Sequence, residues 1–201
     1  MLSFARLATL SFFAVSALAA PVKRNVEDAA TTSLSYVMET LTAKITPVTD
    51  AISAISADEA DLLAAVSPLT AELTSILNGA VAEISDLAGL PVSEVLAAAD
   101  GTVLSVADVA GIVAPVMVTV IDALNSVLAI AQSTGVVDTV EPVLQTVGAA
   151  LSPVLTTAAP IVDGLIVAAA PILVPVLGTA DLLGLGPVVG LVNNLAGSLG
   201  L

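Results

Sequence analysis

The longest candidate helix lies at residues 105–132, which read SVADVAGIVAPVMVTVIDALNSVLAIAQ. Its apolar residues recur at spacings of three and four, as expected for one face of an α-helix. The face consists of Val116, Val120, Leu124, Val127 and Ala131. Pro115 should interrupt this helix, because proline removes a backbone hydrogen bond. The stretch therefore predicts an all-α fold. The residues on either side decide how far the helical periodicity extends.

Towards the N-terminus the same periodicity appears in shorter segments. Residues 34–45 predict an amphipathic helix that Pro47 ends or kinks. A capping-box pattern at residues 56–59 predicts that a helix begins near Asp58. Further short helices are expected on both sides of residues 78–79, an Asn-Gly pair that is typical of a helix stop. This region thus predicts several short, Ala-rich amphipathic helices.

Towards the C-terminus a proline followed by two aliphatic residues recurs instead of a clear periodicity. Each proline is expected in the first turn of a short helix, with Glu141 and Ser152 as caps for two of them. The result would be a very apolar, proline-punctuated and loosely packed helical tail, since aliphatic side chains alone define a core weakly. We predict that the aliphatic residues of the motif adsorb to surfaces: Val143, Leu144, Val154, Leu155, Ile161, Val162, Ile172, Leu173, Val176, Leu177, Val188 and Val189.

The N-terminal segment has the pattern of a secretory leader. Residues 1–19 combine an early arginine with a short apolar run and small residues, which predicts a signal peptide cleaved after Ala19. Residues 20–24 are expected to form a short propeptide that ends in the dibasic pair Lys23-Arg24. The mature chain is therefore predicted to be secreted, to the extracellular space or the cell wall.

Charge divides the mature chain into an acidic head, residues 25–110, and an apolar tail, residues 111–201. The head holds 13 of the 18 acidic residues and the tail holds five. Lys44 is the single base after the dibasic pair. Such an excess of negative charge would repel phosphates, so nucleic acid is excluded as a partner.

The residue types that carry most enzyme chemistry are missing. The chain has no cysteine and no histidine, which removes disulfides, thiolate or imidazole metal sites and nucleophiles activated by histidine. The acidic cluster of Asp58, Glu59 and Asp61 lacks the ligand spacing of a calcium loop and suits a helix N-terminus. We therefore expect no catalytic, cofactor-binding or metal site.

A leader ending in AAPVKR, followed by a cysteine-free chain with an acidic first half and a very apolar second half, resembles a family of secreted structural wall proteins of filamentous basidiomycete fungi. The resemblance implies a role on aerial hyphae, where such proteins partly replace hydrophobins in coating and attachment. A weaker resemblance is to the hydrophobic-surface-binding galactomannoproteins of fungal walls. A hydrophobin itself is excluded, because that family requires eight cysteines.

Three functions remain open at this stage. The first is a surface-active structural protein whose partners are hydrophobic interfaces, cell wall polymers or further copies of itself. The second is a carrier that encloses a fatty acid or sterol in an aliphatic cavity. The third is an elastomer-like matrix protein, suggested by residues 185–190. Stable transmembrane insertion is not expected, since the uncharged runs at 142–162 and 182–201 are broken by proline or glycine and lack flanking bases.

Overall fold

Helices make up most of the described chain, and the predicted all-α class is confirmed. The computed structural model describes residues 33–56, 61–98, 100–179 and 182–190. Within these ranges the extended pairing is one isolated bridge between Ala97 and Val103. The helices are α1 (Leu34–Ser53), α2 (Leu62–Leu87), α3 (Val92–Val95), α4 (Val106–Thr134), α5 (Val137–Ala158) and α6 (Leu165–Leu173), followed by a 3-10 helix at Val174–Thr179.

The ends of the long helices are set by local hydrogen bonds. The side chains of Ser33 and Asp61 each accept a hydrogen bond from a backbone N–H in the first turn of the helix that follows them. Ser105 and Asp108 form a reciprocal capping box at the start of α4. Gly135 ends α4 with a φ of +74°, a backbone conformation that glycine adopts without steric cost. These caps place the helix boundaries where the apolar periodicity begins and stops.

The four long helices pack in a closed ring in the order α1, α2, α5, α4. Helices α1 and α2 are antiparallel, since Tyr36 near the start of α1 and Leu87 at the end of α2 line the same groove. Lys44 Nζ in α1 lies 3.9 Å from Glu83 Oε1 in α2. Helices α4 and α5 are antiparallel as well, because only two residues join them. We call residues 34–87 the N-terminal hairpin and residues 106–158 the C-terminal hairpin. The linker of residues 88–105, which contains α3, connects the two.

One aliphatic core lies inside this ring and receives side chains from both hairpins. The predicted boundary at residue 110 therefore separates a part of the sequence rich in acidic residues from a part with few of them. It does not separate two cores, because helices on both sides of it pack together. Among the described residues, none of the largest buried side chains is aromatic. Those side chains are Leu34, Met38, Ile45, Ile52, Leu73, Leu77, Ile84, Met117, Ile121, Leu124, Leu144 and Leu151.

The prediction that prolines end or interrupt the helices is wrong for α1 and α4, and the expectation of short helices is wrong for α1, α2, α4 and α5 but holds for α3 and α6. The long helices run through their prolines, and α1, α2, α4 and α5 have 20, 26, 29 and 22 residues. These prolines lie on outward faces, where water can bind the carbonyl that has lost its N–H partner. The apolar stripe continues past each proline and packs on the core, which outweighs the lost bond. The internal prolines are Pro47, Pro68, Pro115, Pro142, Pro153 and Pro171.

Several smaller predictions are also settled. The Asn-Gly pair at residues 78–79 lies inside α2 and stops nothing. Glu141 and Ser152 lie inside α5 rather than at helix caps, and each makes a hydrogen bond within that helix. The predicted start near Asp58 lies outside the described residues. By contrast, Pro187 does occupy a first helical turn, at residues 186–190.

Candidate surface-binding site

The residues predicted to adsorb to surfaces do not form one outer surface of this fold. Six of them are buried: Leu144, Val154, Leu155, Val162, Leu173 and Val188. Val143, Ile161, Val176 and Val189 are partly buried, Ile172 is exposed, and the side chain of Leu177 lies outside the described residues. The physical reason is that a side chain apolar enough to adsorb is also apolar enough to be taken into the core. Adsorption through the buried residues requires the fold to change.

The predicted processing residues Ala19, Lys23 and Arg24 lie outside the described residues. Cleavage after Ala19 and after the dibasic pair therefore stays a prediction from the sequence.

An uncharged apolar surface does exist at α6 and the turn that follows it. Helix α6 packs on α4 and buries Leu165, Ala169 and Leu173. Its opposite side is exposed, with Val174 at 55% and Val167 at 39% of their full accessibility. We call this surface the α6 patch, and it consists of Val167, Pro171, Ile172, Val174 and Pro175.

Of the residues predicted to adsorb, Ile172 alone lies in this patch, although Pro171 and Pro175 are prolines of the same motif. Residues 164–180 contain no charged residue, so the helix has no polar stripe that would indicate its outer side. The i, i+4 spacing of Val167 and Pro171 was the available signal, but an all-apolar helix has several such pairs. Only the contact with α4 selects the side that remains exposed.

Carboxylates cover much of the rest of the bundle. The exposed ones among the described residues are Glu39, Asp50, Asp61, Glu72, Glu83, Asp86, Glu94, Asp100, Asp108, Asp122, Asp138 and Asp163. The pair of Lys44 and Glu83 is itself about half exposed, so it contributes little stability. Charged residues therefore lie on the outside of the bundle and aliphatic residues in its core. This arrangement adds to the uneven distribution of charge along the chain.

Two carboxylates have perturbed acidity, and both have structural roles. The Thr102 hydroxyl, together with the Thr102 backbone N–H, holds the pKa of Asp100 below its ordinary value. The Ser105 hydroxyl and backbone N–H do the same to the pKa of Asp108 in the capping box. Both aspartates lie at the surface and stabilise the linker and the start of α4. Among the described residues no three acidic side chains converge on a position that could hold a metal ion.

Three buried hydroxyl groups are satisfied within their own helices, and a fourth is not. Thr49 and Thr70 each donate to the carbonyl four residues earlier, at 3.1 Å, and Ser152 donates to Gly148 O at the same distance. Thr74 Oγ1 in α2 is buried and has no hydrogen-bond partner in the described structure. No charged residue is buried in the described part, so its interior contains no acid–base constellation.

Two shallow grooves bear on the carrier hypothesis. One, of about 420 Å³, lies between α1 and α2 and is lined in part by Tyr36, Lys44 and Glu83. The other, of about 500 Å³, lies between α1 and α4 beside Glu39 and Ile112. Both are open to solvent and carry charged groups on their walls. Neither is an enclosed aliphatic chamber of the kind that holds a fatty acid or sterol.

The segment behind the elastomer hypothesis is folded rather than repetitive. Leu185 and Val188 are buried, and the helical turn at residues 186–190 includes Pro187. An elastomer-like segment would instead remain solvated. The described structure therefore gives this third function no support.

Helix α4 is the one described helix that is long and apolar enough to cross a membrane by length and composition. More than half of its most apolar window is buried against other parts of the chain, and Asp108 and Asp122 lie on its exposed side. A central helix of a water-soluble bundle has the same properties. Its length follows from its place in the core.

Comparison with known proteins gives no match. No protein-family model matches the sequence, and neither the curated proteins nor the solved structures give a significant match to the chain. The site must therefore be interpreted from its own residues.

Proposed function

We propose that this chain is a secreted, non-enzymatic, surface-active structural protein that coats or attaches to hydrophobic surfaces and the cell wall. Its partners are apolar interfaces, cell wall polymers or further copies of itself, and it requires no cofactor. The observation that carries this proposal is the α6 patch, an uncharged outer surface on a bundle that elsewhere presents carboxylates.

The distribution of charge supports a polarised mode of binding. Carboxylates resist dehydration, so the sides that carry them remain in water. The α6 patch loses little solvation on meeting an apolar surface, and each Å² removed from water contributes roughly 25 cal/mol. The patch thus provides a first contact that orients the bundle on a surface.

Substitution of the patch tests this proposal. Val167→Lys with Val174→Lys places two solvated charges in the α6 patch, and we expect slower and weaker adsorption to polystyrene beads. The matched control is Ala71→Lys with Ser75→Lys on the exposed side of α2, which adds the same charge to the other hairpin. Equal adsorption of the two variants would contradict a role for the patch.

The carrier function is the second candidate, and it makes a different prediction for purified protein. Native mass spectrometry of a carrier would show a stoichiometric fatty acid or sterol. A surface-active protein would instead lower the surface tension of water and self-associate as its concentration rises. A stoichiometric ligand combined with unchanged surface tension would favour the carrier.

The predicted secretion route is tested by the N-terminus of protein recovered from the growth medium. Cleavage after Arg24 gives a mature chain that begins at Asn25. A chain that begins at Ala20 would show that signal peptidase alone acts. Failure to recover the protein outside the cell or in the wall would contradict the proposed location.

A further inference from the structure

We infer that the two hairpins separate at an apolar interface, with the linker of residues 88–105 as the hinge, and that the inner faces exposed in this way form the main binding surface. This inference rests on the proposed function and names the surface and partner through which it operates. The partner is an extended hydrocarbon-like surface, such as the air–water boundary or an apolar solid. The α6 patch makes the first contact, and the opened bundle makes the larger one.

The first support comes from where the polar contacts lie. The buried hydroxyls of Thr49, Thr70 and Ser152 bond to carbonyls of their own helices. The ion pair of Lys44 and Glu83 joins two helices of the same hairpin. These interactions persist when the hairpins move apart. Separation therefore costs mainly apolar contact, which an apolar surface can replace.

The second support is the chemistry and size of the inner face. The side chains buried between the hairpins are almost entirely Leu, Ile, Val, Met and Ala, which offer no group for recognising a particular small molecule. The four long helices have between 20 and 29 residues, so each extends about 30–44 Å. A face of this length and composition fits an extended apolar surface better than a single ligand molecule.

The third support is the connectivity of the bundle. The linker is the one covalent connection between the hairpins, although opening must break the most extensive helix contacts of the bundle, α2 on α5 and α1 on α4. Gly101 in this linker has a φ of +83°, and the described linker residues form a short helix, a bridge and turns. Ser35 Oγ donates to Ala97 O at 3.0 Å and fixes α1 to the linker itself. The linker can thus act as a hinge while the two-residue connection between α4 and α5 is kept.

The C-terminal elements can remain in place during this movement. Helix α6 packs on α4, and the backbone at Leu183 and Gly184 lies against α5 at Gly148 and Gln145. Both helices belong to the C-terminal hairpin. Opening therefore leaves the α6 patch attached to that hairpin, next to the face that becomes exposed.

A covalent cross-link across the seam, by which we mean the interface between the two hairpins, tests the inference. Because the chain has no native cysteine, thiols can be introduced at chosen positions only. Ala43→Cys with Ile112→Cys places thiols on both sides of the groove between α1 and α4, where a short bismaleimide can join the hairpins. We expect the linked protein to adsorb to polystyrene at least about tenfold more slowly than the same variant capped with N-ethylmaleimide, because the open population is removed.

The matched control links two helices of one hairpin. Thr40→Cys with Asp86→Cys places thiols across the groove between α1 and α2, and its cross-link should leave adsorption unchanged. On a film balance, the capped variants should occupy about twice the area per molecule of the variant linked across the seam, since four helices rather than two then lie side by side.

The outcomes separate the two proposals. If the capped variants retain their helical circular dichroism but do not adsorb, the proposed function is wrong. If they adsorb and the link across the seam changes neither rate nor area, the function stands and the opening is wrong. If both linked variants lose adsorption to the same extent, the opening does not occur between the hairpins, and the inference is wrong in that case as well.

Discussion

The N-terminal and C-terminal hairpins differ in the charge of their outer surfaces, but they bury the same kind of side chain. In the described part of the N-terminal hairpin, the outer side carries Lys44 and six exposed carboxylates: Glu39, Asp50, Asp61, Glu72, Glu83 and Asp86. The exposed carboxylates of the C-terminal hairpin are Asp108, Asp122 and Asp138, and the α6 patch adjoins it. Both hairpins bury the same kind of aliphatic residue in one core.

This comparison changes the meaning of the acidic head and the apolar tail. The charge difference along the chain is a difference between outer surfaces, since the inner faces are interchangeable in chemistry. Removing the tail would expose the buried stripe of α1 and α2 to water, so a truncated head is not a valid test of adsorption. Substitutions in the whole chain are needed to assign roles to the two hairpins.

The largest expected effect concerns the shared core. Leu73→Ala in α2 and Leu124→Ala in α4 each remove a fully buried side chain, and each should lower the free energy of unfolding by about 2–5 kcal/mol. Urea denaturation followed by circular dichroism should show one transition in both variants. Separate transitions for the two hairpins would break the idea of one core, and a much smaller loss would indicate loose packing.

The next largest effect on the free energy of unfolding is expected when outward-facing prolines inside helices are replaced by alanine. Pro115→Ala in α4 and Pro68→Ala in α2 restore a backbone donor at exposed positions inside helices. Each should raise the free energy of unfolding by about 1–3 kcal/mol. If the gain occurs in only one hairpin, the proline of the other hairpin contributes to packing, and the hairpins are less alike than their cores indicate.

Effects of opposite sign are expected for one substitution, glycine to alanine, made in both hairpins. At Gly148 in α5 a Cβ would collide with Leu183 O, whereas at Gly79 in α2 it would meet open space. Gly148→Ala should therefore lower the free energy of unfolding by about 1–3 kcal/mol, and Gly79→Ala should raise it by about 0.5–1 kcal/mol. Thermal melts can compare the two; stabilisation by Gly148→Ala would show that the segment near Leu183 does not pack on α5.

The smallest effect concerns acid and the capping box of α4. Because hydrogen bonds from Ser105 lower the folded-state pKa of Asp108, this carboxylate contributes stability above its ordinary pKa of 3.8. The contribution is lost as pH falls through the lowered value. Asp108→Asn should therefore be less stable than the parent at neutral pH, and the difference should shrink in acid. A difference that is independent of pH in urea titrations would contradict this role.

Local structure was predictable where polar residues alternate with apolar ones. The periodicity of residues 34–45 and 105–132 indicated helices that the structure contains. The predicted stops failed because the cost of an internal proline or glycine was judged from local rules alone. In the folded chain, Pro47 and Pro115 face water, and the apolar stripe on the opposite side continues to pack.

The candidate site was less predictable, since a helix that is apolar on all sides has no signal for its outer face. Leu144 and Leu173 were expected at a surface and are buried, while Val167 and Val174 are exposed. Hydrophobicity indicates that a side chain avoids water, but it does not distinguish a neighbouring helix from an external surface. That choice depends on which helices lie beside each other.

The sequence by itself determined the helical class, the excess of acidic residues, and the lack of thiol and imidazole chemistry, because these follow from residue type and short-range spacing. The tertiary structure decided that the acidic and apolar halves share one core, that α4 packs on α1, α5 and α6, and that the α6 patch stays exposed. The physical reason is that backbone hydrogen bonds and caps are local, whereas burial is assigned by contacts between segments far apart in the chain.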